Sequence, residues 1–258
     1  MAAFRGLTVL LTGAAGGFGR CLAQRLAAEG ARLVLSDLRE EPLAELACSL
    51  ATETAFLAGD VAEEQLSERL VALAEERFGG LDVAINNAGI AQAFVKLHLI
   101  PSDEARRVID VDLLGIFYAM KHQLPLMERQ YRREKRRAAI VNVASVAGLT
   151  GAPRLAIYSA AKHGVIGLTR TAAAEYATRG IRINAVCPSY ARTEMVTGVL
   201  AMTQAKASRA EAGLTRGVPM RRLAEIEEVA EVILFAANPN NSFMTGQALA
   251  ADGGILAI

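Results

Sequence analysis

Cysteine, histidine, proline and net charge are scarce in this chain, and tryptophan is absent. The three cysteines, Cys21, Cys48 and Cys187, are odd in number and show no paired spacing. That argues against a disulfide framework and for reduced thiols in a cytoplasmic protein. The three histidines, His98, His122 and His163, stand far apart without a zinc-like pattern, so no metal site is expected. Lysine plus arginine number 28 against 27 acids, which leaves no field to draw nucleic acid or an anionic membrane. Long apolar runs are missing too. The longest uncharged candidate, Ala138 to Pro153, is too short to span a bilayer and is broken by Gly148, Gly151 and Pro153. Leu7 to Leu11 follows Arg5 in the manner of a signal peptide, but the same residues are required as a first strand.

What the chain does contain is a regular alternation. Short apolar runs predict strands at 7–11, 32–36, 54–58, 82–86, 139–144, 182–186 and 248–251. Helical periodicity falls between them at 17–29, 40–50, 63–78, 103–130, 154–178 and 225–237. With 258 residues and no linker or repeat, this reads as one α/β domain over 1–258, a parallel sheet covered on both faces. A site is then expected at the carboxyl ends of the strands. The cluster Arg132-Arg-Glu-Lys-Arg-Arg137 reads as a solvated loop before the fifth strand, with an interaction patch as the alternative.

Two segments carry chemistry. The first is Leu7-Thr-Val-Leu-Leu11 followed by Thr12-Gly-Ala-Ala-Gly-Gly17-Phe-Gly19, then Phe18, Leu22 and Leu26 at helical spacing. Strand, glycine-rich turn and helix together let a backbone approach a pyrophosphate and offer it a helix N-terminus. The next strand ends in Asp37, 18 residues beyond Gly19, near the distance expected of an acid that bonds an adenosine ribose. The second segment is Ser145, then Tyr158-Ser-Ala-Ala-Lys162. Tyr158 and Lys162 share one helical face with the rhythm Ile157, Ala161, Val165, Leu168. A free phenol has a pKa of about 10, and a neighbouring cation favours its ionised form. With a serine hydroxyl to hold a carbonyl or carbinol oxygen, this makes a proton-transfer site for an alcohol or ketone. Coincidence remains open on that spacing alone.

Together the segments resemble the short-chain dehydrogenase/reductase family over essentially the whole chain. Thr12-Gly13-xxx-Gly17-x-Gly19 matches its cofactor loop, and Asn86-Asn87-Ala88-Gly89 its signature after the fourth strand. Asp60-Val61 matches the adenine-contacting pair, and Asn184-Ala-Val-Cys-Pro188 with Thr193 the segment that holds the nicotinamide carboxamide. Ser145, thirteen residues before Tyr158, and Tyr158-xxx-Lys162 match its active-site signature. The resemblance implies a doubly wound Rossmann-type fold, a seven-stranded parallel sheet in the order 3-2-1-4-5-6-7. It implies catalytic Ser145, Tyr158 and Lys162, and cofactor contacts from Gly13, Gly17, Phe18, Gly19, Asp37, Leu38, Asp60, Val61, Asn87, Ala88, Gly89, Tyr158, Lys162, Pro188, Ala191 and Thr193. Asp37 points to NAD, and no lysine or arginine occupies Ala14, Ala15 or Gly16, although Arg39 lies near enough to meet a phosphate.

Two positions depart from the family pattern. In Val111-Asp112-Leu113-Leu114-Gly115, Asp112 replaces the usual asparagine, and Ser189 replaces the glycine after Pro188. Asp112 is expected to order a water behind Lys162. Ionised it only accepts hydrogen bonds, while protonated it mimics asparagine. The reaction implied is hydride transfer between NAD and a secondary alcohol or ketone, apolar or cyclic in character. The alternatives are a 3-oxoacyl-carrier-protein type reductase and a binding protein on the same fold that has lost turnover. Residues 190–220, with Met195, Val196, Val199, Leu200, Met202, then Lys206, Arg209 and Glu211, read as a substrate lid or as packing against another subunit. The family implies a homotetramer joined through the long helices, here bearing Leu113, Ile116, Phe117, Met120, Val165, Leu168 and Ala172, and through the tail Gly253 to Ile258.

Overall fold

Buried apolar runs build the sheet first. In the computed structural model, which describes residues 3–194, 196–197 and 207–258, every residue of β1 (Thr8–Thr12), β4 (Val83–Asn86) and β5 (Ala138–Val143) is buried. Strands with no polar face belong in the middle of a sheet covered on both sides. They are joined by β2 (Arg32–Ser36), β3 (Thr54–Phe56), β6 (Ile181–Pro188) and β7 (Ala248–Ala251) in one parallel sheet, ordered β3-β2-β1-β4-β5-β6-β7. The expected order is therefore the observed one.

Side chains alternate across each strand and feed two cores. Val9, Leu11, Leu33, Leu35, Ile85 and Val141 pack with Leu22 and Leu26 of α1 (Gly17–Ala28), Leu43 of α2 (Glu40–Ser49) and Ile233 of α8 (Ile226–Ala237). Leu10, Val34 and Ile140 face the opposite way. They meet Leu70 of α3 (Glu64–Phe78), Met127 of α5 (Gly115–Glu134) and Val165 of α6 (Ala156–Tyr176). Beneath the second core lies a closed set of amides. Asn86 Nδ2 donates to Asn142 Oδ1 at 2.9 Å, Gln123 Nε2 to Asn86 Oδ1 at 2.8 Å, and Asn142 Nδ2 to Thr169 Oγ1 at 2.9 Å. These bonds tie β4 and β5 to α5 and α6.

The structure alters three expectations. The helix expected over 103–130 is α4 (Ser102–Ile109), a π-helical turn (Asp110–Leu114) and then α5. A side chain at Gly115 would meet Val61 at 3.1 Å, and the wide turn lets Asp112 reach Ile90 N at 2.8 Å. Such turns insert a residue where a site needs a side chain re-aimed. Second, the basic cluster is only partly loop: Arg132 to Glu134 form the last turn of α5, Lys135 ends it at φ 56°, and Arg136 Nη2 binds Asp82 Oδ2 at 2.6 Å. Third, Ile116, Met120, Val165 and Ala172, expected at a subunit interface, are buried in the chain's own core, while Phe117 stays exposed. In the 190–220 segment α7 spans Ala207–Thr215, and Arg192 pairs with Glu211 at 2.8 Å and Glu225 at 3.0 Å. Met195, Val199, Leu200, Met202 and Lys206 lie outside the described residues. Among the described residues no helix is long and apolar enough to cross a membrane.

Candidate active site

The chain runs from β1 to β3 on one side of the sheet and returns beside β1 to begin β4. The reversal opens a crevice above the carboxyl ends of β1 and β4. Its edges are stitched together. Thr12 Oγ1 accepts from Asn87 N and Ala88 N, each at 3.1 Å, and Asn87 Nδ2 donates to the carbonyls of Thr12 at 3.0 Å and Gly13 at 3.1 Å. Gly13 adopts φ 63°, and a Cβ there would stand 2.9 Å from Ala88 Cα. Only glycine fits both the turn and that approach.

A cleft of about 510 Å³ follows the crevice. It is lined by Gly13, Gly17, Phe18, Asp37, Leu38, Asp60, Val61, Asn87, Ala88 and Gly89 at one end, by Asp112, Ser145, Tyr158 and Lys162 in the middle, and by Pro188, Ala191 and Thr193 beyond. Of the catalytic and cofactor-contact residues that the resemblance implies, only Gly19 lies off the wall. A Cβ on it would fall onto the Gly13 carbonyl oxygen and stand 2.7 Å from Ala14 Cα, so it lets α1 seat under the loop. The cradle fits a dinucleotide: α1 begins at Gly17 with no acid in its first turn, leaving its N–H groups and positive end toward the cleft. Asp37 Oδ2 accepts from Ala15 N at 2.9 Å, which fixes the carboxylate beside the loop. Asp60 is shared between Ala62 N at 2.9 Å and Arg107 at 2.8 Å, and Arg107 also lines the cleft.

In the middle of the cleft three ionisable side chains are packed together. Lys162, 3% exposed, donates to Val143 O at 3.2 Å, lies 5.4 Å from the centre of the Tyr158 ring and meets Asp112 Oδ2 at 3.3 Å. Asp112 is fully buried, and its Oδ2 has no other partner than this ammonium. The contact is direct, where a water-mediated one was expected. Burial works against the lysine charge, but the Asp112 carboxylate, with Tyr158, outweighs it and raises the Lys162 pKa. For Tyr158 burial is the main influence and drives the pKa up; Lys162 pulls it down, Asp112 pushes it up again, and Ser145 lowers it a little. The net direction is upward, opposite to what a lysine neighbour alone would give. Ser145 Oγ accepts from Ala147 N at 3.2 Å and reaches Pro188 O at 3.4 Å. Ser189 needs no glycine: it is absent from the positive-φ residues, and its N–H bonds Ala251 O at 3.1 Å. Burial pushes the Cys187 thiol up to about 11, which leaves it inert.

Beyond Tyr158 the wall is largely apolar, with Phe94, Val146, Ala152, Pro153, Leu155 and Leu214, interrupted by Gln92, Thr150, Tyr190 and Glu194. Sequence reasoning missed Arg107 and also Gln92, a buried amide in the loop after β4. The signal for Gln92 was indirect: Leu155, at the start of α6, cannot cap a helix. Among the described residues no group of three or more His, Cys, Asp or Glu is arranged to hold a metal.

A family model described as enoyl-(acyl carrier protein) reductase matches residues 13–256. The chain belongs to the short-chain dehydrogenase/reductase family. It is an oxidoreductase. Cis-4-hydroxycyclohexanecarboxylate dehydrogenase of Sinomonas cyclohexanicum is 40% identical over 258 residues, covering 99% of both chains. The 2,5-dichloro-2,5-cyclohexadiene-1,4-diol dehydrogenase of Sphingobium indicum is 37% identical across 100% of both. Among solved structures, levodione reductase matches with a TM-score of 0.93 and 34% identity over 98% of this chain and 99% of its own. A 3-ketoacyl-(acyl-carrier-protein) reductase from Brucella melitensis, complexed with NADH, matches with a TM-score of 0.89 and 29% identity, over 98% of this chain and 99% of its own. For this dehydrogenase/reductase the glycine loop should be intolerant of side chains. Gly19→Ala is expected to weaken nicotinamide-dinucleotide binding at least tenfold and to lower the melting temperature, read by NADH fluorescence and a thermal melt.

Proposed function

We propose that this chain interconverts a cyclic, uncharged secondary alcohol and its ketone with NAD as the hydride partner. The observation that carries the reading is the packing of Tyr158, Lys162 and Ser145 at the junction of a dinucleotide cradle and an apolar pocket. The relatives that act on six-membered-ring alcohols support the cyclic character of the substrate. The two cations of the described lining, Arg107 and Lys162, are already paired with Asp60 and Asp112. A substrate carboxylate would therefore find no free positive partner there, which favours a neutral ring. A separate feature speaks against a carrier-protein substrate: the basic cluster at Arg132 to Arg137 lies beside the start of β5, at the opposite end of the sheet.

Gly13, Gly17 and Phe18 would cradle the pyrophosphate, Asp37 the adenosine ribose with Leu38 beside it, and Asp60 and Val61 the adenine, while Asn87, Ala88 and Gly89 would run along the cofactor toward Lys162. Pro188, Ala191 and Thr193 would hold the carboxamide. When bound, the nicotinamide ring accepts or gives the hydride. Ser145 holds the reacting oxygen and stabilises its developing charge. Tyr158 takes the hydroxyl proton in oxidation and returns it in reduction. Lys162 lowers the phenol pKa and holds the nicotinamide ribose. Asp112 keeps that ammonium charged and in place. The segment 190–220, through Tyr190, Glu194, Val196 and Leu214 on the cleft wall, serves as the substrate lid. Assembly is as a homotetramer. Phe117 at 41%, Phe243 at 105% and Ile258 at 89% exposure supply apolar surface that association would cover.

Turnover of a panel of cyclic secondary alcohols tests the function. Activity with NAD is expected, with a higher kcat/KM than with NADP, and Asp37→Ala should narrow that preference. No turnover of any ring alcohol sinks the reading, and a wild-type preference for NADP overturns the role of Asp37. The raised Tyr158 pKa places the oxidation optimum on the alkaline side, because the phenolate is the base. The Asp112 charge contributes to that rise, so Asp112→Asn should stay active and move the lower limb of the kcat/KM profile to lower pH. A limb that stays put leaves Asp112 a purely structural residue. Light scattering at micromolar concentration should give the mass of four chains; a monomer refutes the assembly.

A further inference from the structure

The helix that carries Tyr158 and Lys162 has no cap of its own. Its N-cap position is Leu155, which offers no acceptor to the N–H groups of the first turn. Two of those groups are satisfied from elsewhere. Gln92 Oε1 accepts from Ile157 N and from Tyr158 N, each at 3.0 Å, as a serine or aspartate at the N-cap would. The other edge of the amide donates to Ala93 O at 3.3 Å and Arg154 O at 3.4 Å. Gln92 is 1% exposed and also lines the cleft. Arg154 stands at φ 72°, a conformation that non-glycine residues use sparingly and that surrounding contacts must hold. The loop around Gln92 is anchored on both sides, by Ile90 N to Asp112 Oδ1 at 2.8 Å and by Ala93 N to Glu104 Oε1 at 2.7 Å.

We propose that Gln92 is a positioning residue of the reaction: its carboxamide clasps the start of α6 to the loops on both sides of the substrate pocket and so sets where the Tyr158 phenol stands over the bound alcohol. The clasp needs an amide. An acceptor oxygen must face two N–H groups while a donor nitrogen faces two carbonyls, and of the side chains this long only glutamine has both. Phe94 on one loop and Ala152, Pro153 and Leu155 on the other then move as a unit with the phenol. Substrate shape and proton-transfer geometry are thereby coupled. A misplacement of about 1 Å at a reacting group costs on the order of a hundredfold in rate.

The inference rests on the hydride-transfer reading, and the test separates the two. Gln92→Ala and Gln92→Glu are compared with the wild type in kinetics against pH on cyclohexanol and NAD, in NADH affinity by fluorescence, and in the ultraviolet titration of Tyr158, isolated by subtracting a Tyr158→Phe sample. Gln92→Ala should lower kcat at least tenfold while NADH affinity stays within about twofold. A role confined to stability would lower the melting temperature alone. Gln92→Glu keeps both acceptor bonds but turns a carboxylate toward the Ala93 and Arg154 carbonyls and adds a negative charge against the backbone of Tyr158. The charged or titratable groups already facing that phenol are Lys162 on α6, Asp112 from the π turn and Cys187 on β6; Glu104 and Arg154 flank the loops. The Tyr158 titration should therefore rise by roughly one pH unit. A kcat within twofold of wild type in Gln92→Ala, or an unmoved titration in Gln92→Glu, overturns the proposal. If Gln92→Ala does not fold, the Gln92→Glu titration decides. If the wild type turns over no alcohol, the function reading fails and the same titration still decides the clasp.

Discussion

The bonds between Thr12 and Asn87 span the gap between β1 and β4, and the site depends on them. In a parallel sheet whose winding reverses, the two strands at the reversal send their crossovers to opposite faces, leaving backbone N–H and C=O groups at their ends unpaired. An unpaired buried group costs about 1–3 kcal/mol. Here Thr12 Oγ1 and the Asn87 amide satisfy four such groups at once, and in doing so bring Gly13 against Ala88. The glycine loop and the segment that leads to Ile90 and Gln92 are therefore held at one fixed separation. The phenol side of the cleft inherits that separation through α6.

Much of the fold was legible because its signals are local. Buried strands show as apolar runs, and the turn at Gly13 requires a residue without Cβ. All seven strands and their order agree with expectation, and the site residues collect in one cleft. What could not be read arises from contacts between segments distant in the chain. The π turn exists because Gly115 meets Val61 and Asp112 meets Ile90, and no periodicity in 103–130 records either contact. Apolar spacing on α5 and α6 does not tell core from interface, so Ile116 and Phe117 looked alike although one is buried and the other exposed. Gln92 was invisible for the same reason, its partners lying more than sixty residues away.

The electrostatics of the site are those of a small closed system. Asp112 and Lys162 are buried, Tyr158 is half-buried, and the lysine and the phenol respond to one another and to the aspartate. Lys162 and Asp112 offset one another's buried charge, and Val143 O gives the ammonium a second partner, so the net contribution of the pair to stability is small. The pair also leaves little field over for the phenol, whose burial then dominates. The surroundings of Tyr158 thus favour its neutral form.

The closed amide set of Asn86, Gln123, Asn142 and Thr169 has a consequence for how such a chain can change over generations. Asn86, Gln123 and Asn142 bond one another and Thr169 accepts from Asn142, so replacing any one strands a buried partner. An apolar substitute at all four together strands none. These positions are consequently expected to drift as a block or not at all, which makes the layer under the active site a historical constraint as well as a mechanical one.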